Sequence, residues 1–235
     1  MAKVLVAGVY LADVATWVTD IVPALSAALH HCVTQRWIAL WQGPVGPCAA
    51  SHTVLSVQGP APKFELLNRV LEDADAFDWV IIADDDVVIA ETWLDSYLAL
   101  AGRFDFALSQ PARTRDSFSD NHIVAQAPGL LARRTRFVEI GPVFCIRRDA
   151  VPLLVPFEPE IGMGWGLDFI WPMRLEKSGM RIGIVDAAPV AHSLRNQVQS
   201  YVHTEPGRVM LRLLDRVPHL TRSEAFRVLE SYPDA

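Results

Sequence analysis

The tightest constraint in this chain is a short apolar run, Trp79-Val80-Ile81-Ile82-Ala83, that stops on three consecutive carboxylates, Asp84-Asp85-Asp86, and resumes at Val87-Val88-Ile89. A run of that length suits a buried central strand and is too short for the core of a helix. The acids therefore fall at the carboxyl end of a strand, the edge of an open α/β sheet where ligands bind. Adjacent carboxylates repel one another unless a cation or solvent screens them. A solvated acidic turn is the plainer reading, but such turns belong in polar sequence, and this one lies between two apolar segments. A divalent-metal site is the sharper expectation.

Around this run, strand-like and helix-like pieces alternate, which predicts an α/β sheet with helices packed on it. Residues 4–9, 35–40 and 52–57 read as strands, and 43–47 as a loop by its glycines and prolines. A helix capped at Thr19 or Asp20 carries Pro23 in its first turn, where a missing N–H costs little. Residues 62–74 have the apolar spacing of an amphipathic helix feeding the acidic strand. A helix over 92–101 and a strand over 103–108 follow. Residues 111–135 show little periodicity, and a loop of that length is usually functional or mobile. With Arg113, Arg115, Arg133, Arg134 and Arg136 it is expected to be a lid that lends guanidinium groups to an anion. Beyond it the expectation is a strand over 137–146, a helix over 148–155, a glycine-punctuated loop over 158–166, a helix over 167–178 and a strand over 181–185, with Val190-Ala191-His192 close behind. From Thr204 the pattern predicts two helices split by Pro218 and capped at Thr221 or Ser223. The division expected is a catalytic domain over 1–192 and a helical extension over 193–235.

Composition narrows the partners. With 235 residues, 51% of them hydrophobic, the chain can bury one large core. Its formal net charge is −6, and the only basic cluster is Arg133-Arg134-Thr135-Arg136, so no nucleic-acid groove is expected. No apolar run approaches the roughly 20 residues of a membrane span. Cys32, Cys48 and Cys145 are odd in number and scattered, which reads as reduced core residues. Met1-Ala2-Lys3 runs straight into the first strand without a leader, and the expectation is a cytoplasmic protein.

Two further acids stand out. Asp168 follows glycines that bend the chain and precedes a helix, which places its carboxylate near a helix N-terminus, where it can act as a general base or simply cap. Glu139 is a lone acid in an apolar stretch, costly to bury without a partner and so a candidate for binding substrate hydroxyls. Trp165, between glycines, offers a ring for stacking or for packing.

The order of these pieces (strand, helix, apolar run ending in Asp-x-Asp, strand pair, Gly-Trp-Gly-x-Asp, helix, strand, His) resembles that of GT-A fold glycosyltransferases, in which a DxD motif holds a metal against a nucleotide-sugar diphosphate. The chain is similar, more closely, to an uncharacterised plant GT-A-like domain family described as related to lysine-ketoglutarate reductase trans-splicing. The residues that carry this likeness are Asp84-Asp85-Asp86, Ser109-Gln110-Pro111-Ala112, Phe137-Val138-Glu139, Pro142-Val143-Phe144, Gly164-Trp165-Gly166-Leu167-Asp168, Val185-Asp186 and His192. They run from about residue 63 to 192. Leu167 departs from the pattern, since galactosyltransferase-like enzymes carry Glu-Asp there.

The resemblance implies a single GT-A-like, Rossmann-related α/β domain with a mixed, mostly parallel central sheet flanked by helices. It implies transfer of a sugar from a nucleotide-sugar donor, uridine diphosphate-linked, to a hydroxyl acceptor with inversion, assisted by Mn2+ or Mg2+. Asp86 would ligate the metal, Asp84 would hold the ribose or a metal-bound water, Asp85 would join the cofactor side, and His192 would close the coordination sphere. Lys63 and Asn68 are spaced as in a Lys-x-x-x-x-Asn pattern that faces the nucleotide. At the first strand's end Gly8 and Tyr10 would approach the nucleoside, although a packing glycine is the blander account of Gly8; Asp13 would accept a base N–H. Asp168 would be the catalytic base, and Gln110, Glu139, Trp165 and Gly166 would bind substrate. Two other classes stay open: a metal-dependent phosphohydrolase, and a nucleotide-sugar-binding protein without catalysis.

Overall fold

The first strand, β1 (Ala2–Leu11), turns Leu5 and Ala7 to one face of the sheet and Val4, Val6 and Tyr10 to the other. Both faces must therefore be covered, the condition under which parallel sheets form. The computed structural model describes residues 1–43, 50–119, 121–158, 161–194 and 204–234. Across these, β1 is followed by β2 (His31–Trp41), β3 (Thr53–Gln58), β4 (Trp79–Asp84), the short β5 (Val87–Val88), β6 (Phe106–Arg113), β7 (Leu130–Thr135), β8 (Val143–Arg147), β9 (Arg181–His192) and β10 (Val228–Pro233). Nine of them lie side by side in the order β10-β7-β9-β6-β8-β4-β1-β2-β3, and β5 pairs with β9. All but β7 and β8 of this row run in one direction. The result is a single domain with a mixed, mostly parallel sheet between two layers of helix, as expected.

Helices α1 (Val18–Ser26) and α3 (Trp93–Arg103) cover one face with Ile21, Leu25, Leu94 and Leu98. On the other face lie α2 (Lys63–Asn68), α4 (Val151–Leu154) and α5 (Leu167–Lys177), which bury Leu66, Leu67, Leu154 and Trp171. Two further helices follow, α6 (Thr204–Arg216) and α7 (Arg222–Ala225). Thr221 starts α7 with a capping box: it accepts the Glu224 N–H, and the Glu224 carboxylate accepts the Thr221 N–H.

Several boundaries differ from expectation for identifiable reasons. Helix α2 ends at Asn68 rather than 74, and the Arg36 guanidinium takes the Val70 carbonyl at 2.9 Å and pairs with Asp73 just beyond it. Strand β6 continues to Arg113 because β9 lies beside it, and β9 is continuous through Pro189 because β6 and then β5 partner it. The expected strand over 137–146 begins only at Val143. The expected helical extension ends instead in β10, which joins the sheet beside β7, where Glu230 receives Arg134 at 2.5 Å and Arg181 at 3.0 Å. Cys145 is buried and Cys32 exposed, against the expectation of a core thiol for both. Cys48 and most of the expected 43–47 loop lie outside the described residues.

The extent of the expected 111–135 loop is also corrected. Its two ends are strands, and the connecting segment is held down: the Gln126 N–H donates to the Arg113 carbonyl at 2.9 Å, and the Ala127 N–H to Asp186 at 2.9 Å. Arg133 forms a two-pronged ion pair with the fully buried Asp186, at 2.9 Å on each prong. Arg134 pairs with Glu230 and Arg136 with Glu176. These guanidinium groups are occupied in holding the fold.

Candidate active site

Strand ends assemble the site. β4 delivers Asp84 to the carboxyl edge of the sheet, and the chain then turns through Asp85 and Asp86 into β5. Because β5 pairs antiparallel with the end of β9, in the register Val87 opposite His192, the turn is drawn against that strand and Asp86 Oδ1 lies 3.1 Å from His192 Nε2. Residues more than a hundred positions apart thus meet through two ladder positions of a minimal sheet.

The three aspartates have separate partners. Asp84 is ion-paired with Lys63 at the start of α2. Asp85 is buried and turned back toward β1, where its carboxylate accepts the Leu11 N–H at 3.0 Å while its carbonyl accepts the Trp17 N–H at 2.7 Å. It clamps the end of β1 to the segment that leads into α1. Asp86 faces His192. Among the described residues no group of three or more His, Cys, Asp or Glu side chains is arranged to hold a metal ion. The donors brought together are one carboxylate and one imidazole, with His192 Nδ1 buried and without a hydrogen-bond partner. That set suits a cation that takes oxygen and nitrogen ligands and fills its remaining positions from phosphate oxygens and water.

A cavity of about 300 Å³ opens beside Asp84 and His192. Its far wall is the start of α5, where Gly166 at φ +100° lets the chain swing into the helix; a side chain there would meet Met210 of α6 at 3.1 Å. The turn before it holds Trp165, and the first turn of α5 holds Asp168, both lining the cavity. Leu167, at the position of the departure, is fully buried in the core. Asp168 Oδ1 is buried with no hydrogen-bond partner. Burial, reinforced by the negative charge of Glu139, pushes the Asp168 carboxyl up to about 7, and the backbone N–H groups at the helix start pull the other way without prevailing.

Glu139 and Arg113 form the third wall. Glu139 is paired with Arg113, accepts the Asn121 amide at 2.7 Å, and donates its backbone N–H to Gln110 Oε1 at 2.6 Å. Gln110 thus acts behind the wall, orienting Glu139. Arg113 also donates to the carbonyls of Phe118, at 2.6 Å, and Gly141, at 2.5 Å.

The structure therefore gathers Asp84, Glu139, Trp165, Gly166, Asp168 and His192 around one cavity, with Asp86 and Lys63 immediately behind. Other expected site residues are committed elsewhere. The space beside Gly8 is filled, since a Cβ there would fall 2.3 Å from the Trp37 ring, so packing accounts for this glycine. Tyr10 is buried, with its hydroxyl bonded to Thr53 and to the Ala50 N–H. Asn68 exchanges hydrogen bonds with the Phe157 backbone at 3.0 and 2.8 Å. Asp13 accepts the Gln42 and Gly43 N–H groups, and the Gln42 bond holds its carboxyl below the usual range. Sequence reasoning missed Asn121, Phe118, Gly141 and Met210 as lining residues. The first two sit in an aperiodic segment that carries no signal, but a Gly-Pro pair separated from the lone acid Glu139 only by Ile140 is a readable mark of Gly141.

This architecture, with an acidic turn after a central strand and a cavity at the carboxyl edge, is the GT-A fold. Solved structures similar to it include residues 1–349 of S. aureus TarS in complex with UDP-GlcNAc, at 13% identity and TM-score 0.56 over 95% of this chain and 69% of that one. Another is glucosyl-3-phosphoglycerate synthase from Mycobacterium tuberculosis with Mn2+, UDP-glucose and phosphoglyceric acid, at 16% identity and TM-score 0.55 over 100% of this chain and 88% of that one. A third is GalNAc-T7 with UDP, GalNAc and Mn2+, at 11% identity and TM-score 0.57 over 86% of this chain and 45% of that one. No family model matches the sequence, and no curated protein matches it. Among the described residues no helix is long and apolar enough to cross a membrane.

Proposed function

We propose that the chain is a glycosyltransferase that moves a sugar from a uridine diphosphate-linked donor to a hydroxyl acceptor, with inversion at the anomeric carbon and with a divalent cation, Mn2+ or Mg2+, as cofactor. The observation that carries this reading is Asp168: a largely buried carboxyl, raised to about 7, in the same cavity as Asp84 and His192. A carboxylate tuned to neutral pH is suited to general-base work. The three neighbours, complexed with UDP, UDP-GlcNAc or UDP-glucose, support the choice of donor. Kinship with the plant GT-A-like domain family rests on the ordered sequence motifs, and a reducing, cytoplasmic setting on the scattered cysteines.

In this reading Asp168 takes the proton of the acceptor hydroxyl as its oxygen attacks the anomeric carbon. The bond from that carbon to the diphosphate breaks, and the diphosphate leaves with the electron pair. Asp86 and His192 would hold the cation, which when bound neutralises negative charge growing on the leaving group. Lys63 fixes Asp84 at the mouth of the cavity, close to Gly141, where even a Cβ would come within 3.2 Å of the carboxylate. Asp85 keeps the turn in place through the Leu11 N–H. The raised carboxyl of Asp168 in the cavity favours catalysis over a binding protein without it, since a capping role alone would not require burial, while Leu167 is a core residue and supplies no acid.

Asp168→Asn keeps shape but cannot accept the proton, so turnover should fall by about 10²- to 10⁴-fold while UDP-sugar affinity by calorimetry stays near wild type. His192→Ala should weaken Mn2+-dependent UDP binding in the same assay. Retention of anomeric configuration, or full turnover in Asp168→Asn, would remove the base assignment; UDP binding that ignores both Mn2+ and His192 would remove the metal assignment.

A further inference from the structure

One guanidinium ties together the segments that carry the site. Arg113 ends β6, in register with Val190 of β9 and so two positions short of His192. Its Nη1 donates to the Phe118 carbonyl at 2.6 Å, and its Nη2 donates to the Glu139 carboxylate and to the Gly141 carbonyl, the latter at 2.5 Å. Each acceptor belongs to a stretch of chain that bears on a site residue. The turn ending at Phe118 grips His192 by both backbone groups: Ser117 Oγ accepts the His192 N–H at 2.9 Å, and the Phe118 N–H donates to the His192 carbonyl at 2.8 Å. Beyond Gly141, the Pro142 carbonyl accepts the Asp84 N–H at 2.7 Å. Glu139 acts on Asp168, whose carboxyl is raised by burial and then by the Glu139 charge.

Arg113 is buried, and its planar fork meets acceptors on separate stretches of chain, an arrangement that a lysine ammonium on a flexible stem does not reproduce. Without the guanidinium these acceptors lose their shared donor, and the 114–118 turn and the 139–142 segment are free to shift independently. In the transfer reading His192 stands at the leaving-group end of the donor and Asp168 at the acceptor end. A displacement of about 1 Å between groups that must act together costs on the order of 100-fold in rate.

We propose that Arg113 is the positioning residue that keeps the cation end and the base end of the cavity in register. The inference deepens the transfer reading above and rests on it. The test uses the full chain with UDP-glucose and UDP-GlcNAc, reading UDP release to water, UDP affinity by calorimetry with and without Mn2+, and the unfolding temperature. Arg113→Lys keeps the charge but not the fork, so kcat for UDP release should fall by about 100-fold. The gain in UDP affinity brought by Mn2+ should shrink by about five-fold, the scale of one hydrogen bond, while affinity without Mn2+ stays at the wild-type value. Added to His192→Ala, the same substitution should cost no further Mn2+-dependent affinity, because residues acting through one another are not additive. Ser117→Ala releases the His192 N–H alone and should reproduce the loss of Mn2+-dependent affinity. Wild-type kcat and Mn2+-dependent affinity in Arg113→Lys would overturn the proposal, as would losses that are equal with and without Mn2+ and persist undiminished beside His192→Ala. Should Arg113→Lys fail to fold, Ser117→Ala decides, and unchanged Mn2+-dependent affinity in it overturns the proposal as well. Wild-type protein that binds neither UDP-sugar by calorimetry overturns the transfer reading together with this role, whereas wild-type UDP release that Arg113→Lys leaves intact overturns the positioning role alone.

Discussion

Two buried arginine–carboxylate pairs, Arg133–Asp186 between β7 and β9 and Arg113–Glu139 between β6 and the segment before β8, have surroundings that differ in a telling way. In the first pair Asp186 has no exposed surface and also accepts the Ala127 N–H, while Arg133 reaches the carbonyls of Ile123 and Ala125 as well. Arg113 is as buried as Arg133 and Glu139 only slightly more exposed than Asp186, yet both line the cavity, and Arg113 Nε has no partner. The same chemistry serves as a staple in one place and as a wall in the other. What separates the two uses is whether hydrogen-bonding capacity is left unmet, as at Arg113 Nε, because a buried pair repays its desolvation only when every donor and acceptor is met. Asp168 extends the contrast, as a carboxyl in the same region with no guanidinium of its own among the described residues.

The comparison can be broken most forcefully at the staple. Asp186→Ala leaves Arg133 charged and enclosed, so urea unfolding should show a loss of about 3–5 kcal/mol; a loss below about 1 kcal/mol would mean the pair is not a staple. Next comes the pH dependence of stability at Asp168. Its folded value near 7 lies above the unfolded value near 3.8, so the native state holds the proton more tightly, and stability is lost as pH rises through that window. Asp168→Asn escapes this loss, and its stability relative to wild type should increase between about pH 4 and 7 by roughly 2–4 kcal/mol, then level off. A flat difference across that range would contradict the burial argument.

A smaller effect is expected at the wall. Glu139→Gln keeps the shape beside Arg113 and removes the charge, costing about 1–3 kcal/mol by denaturant unfolding. It should also sharpen the contrast kinetically. Activity that needs ionised Asp168 rises with pH, and without the Glu139 charge that rise should move to lower pH. An unmoved pH profile would separate the two carboxyls. The smallest effect belongs to the pair Arg136–Glu176, which is closer to solvent. Glu176→Ala should change stability by less than about 1 kcal/mol, which sets the baseline for the two buried pairs.

Legibility in the sequence followed how local the determining partner is. β1, β4 and α3 announce themselves because burial on a face is written in their own spacing, and the Asp84-Asp85-Asp86 turn announces the sheet edge. The packing partners of Gly8, Tyr10 and Asn68 could not be read locally because Trp37, Thr53 and Phe157 lie on other elements. The pairings of Arg133, Arg134 and Arg136 were hidden for the same reason, since Asp186, Glu230 and Glu176 are remote in sequence. That Asp168 and His192 line one cavity was foreshadowed by the glycines before one and the strand end under the other, which leave local marks. β10 was missed because its exposed, partly polar residues show no buried face; only the open edge of β7 makes it a strand.

That late strand has a consequence for how the molecule is made. Glu230 meets Arg134 across 96 positions of chain, so a ribosome must add all of them before β7 acquires its outer neighbour. Until then the nascent sheet carries a bare rim of backbone N–H and carbonyl groups, an invitation to pair with another unfinished copy. Slow translation between these two strands should therefore favour tangled polysomes, and a holdase that covers β7 during synthesis should raise the yield of native protein.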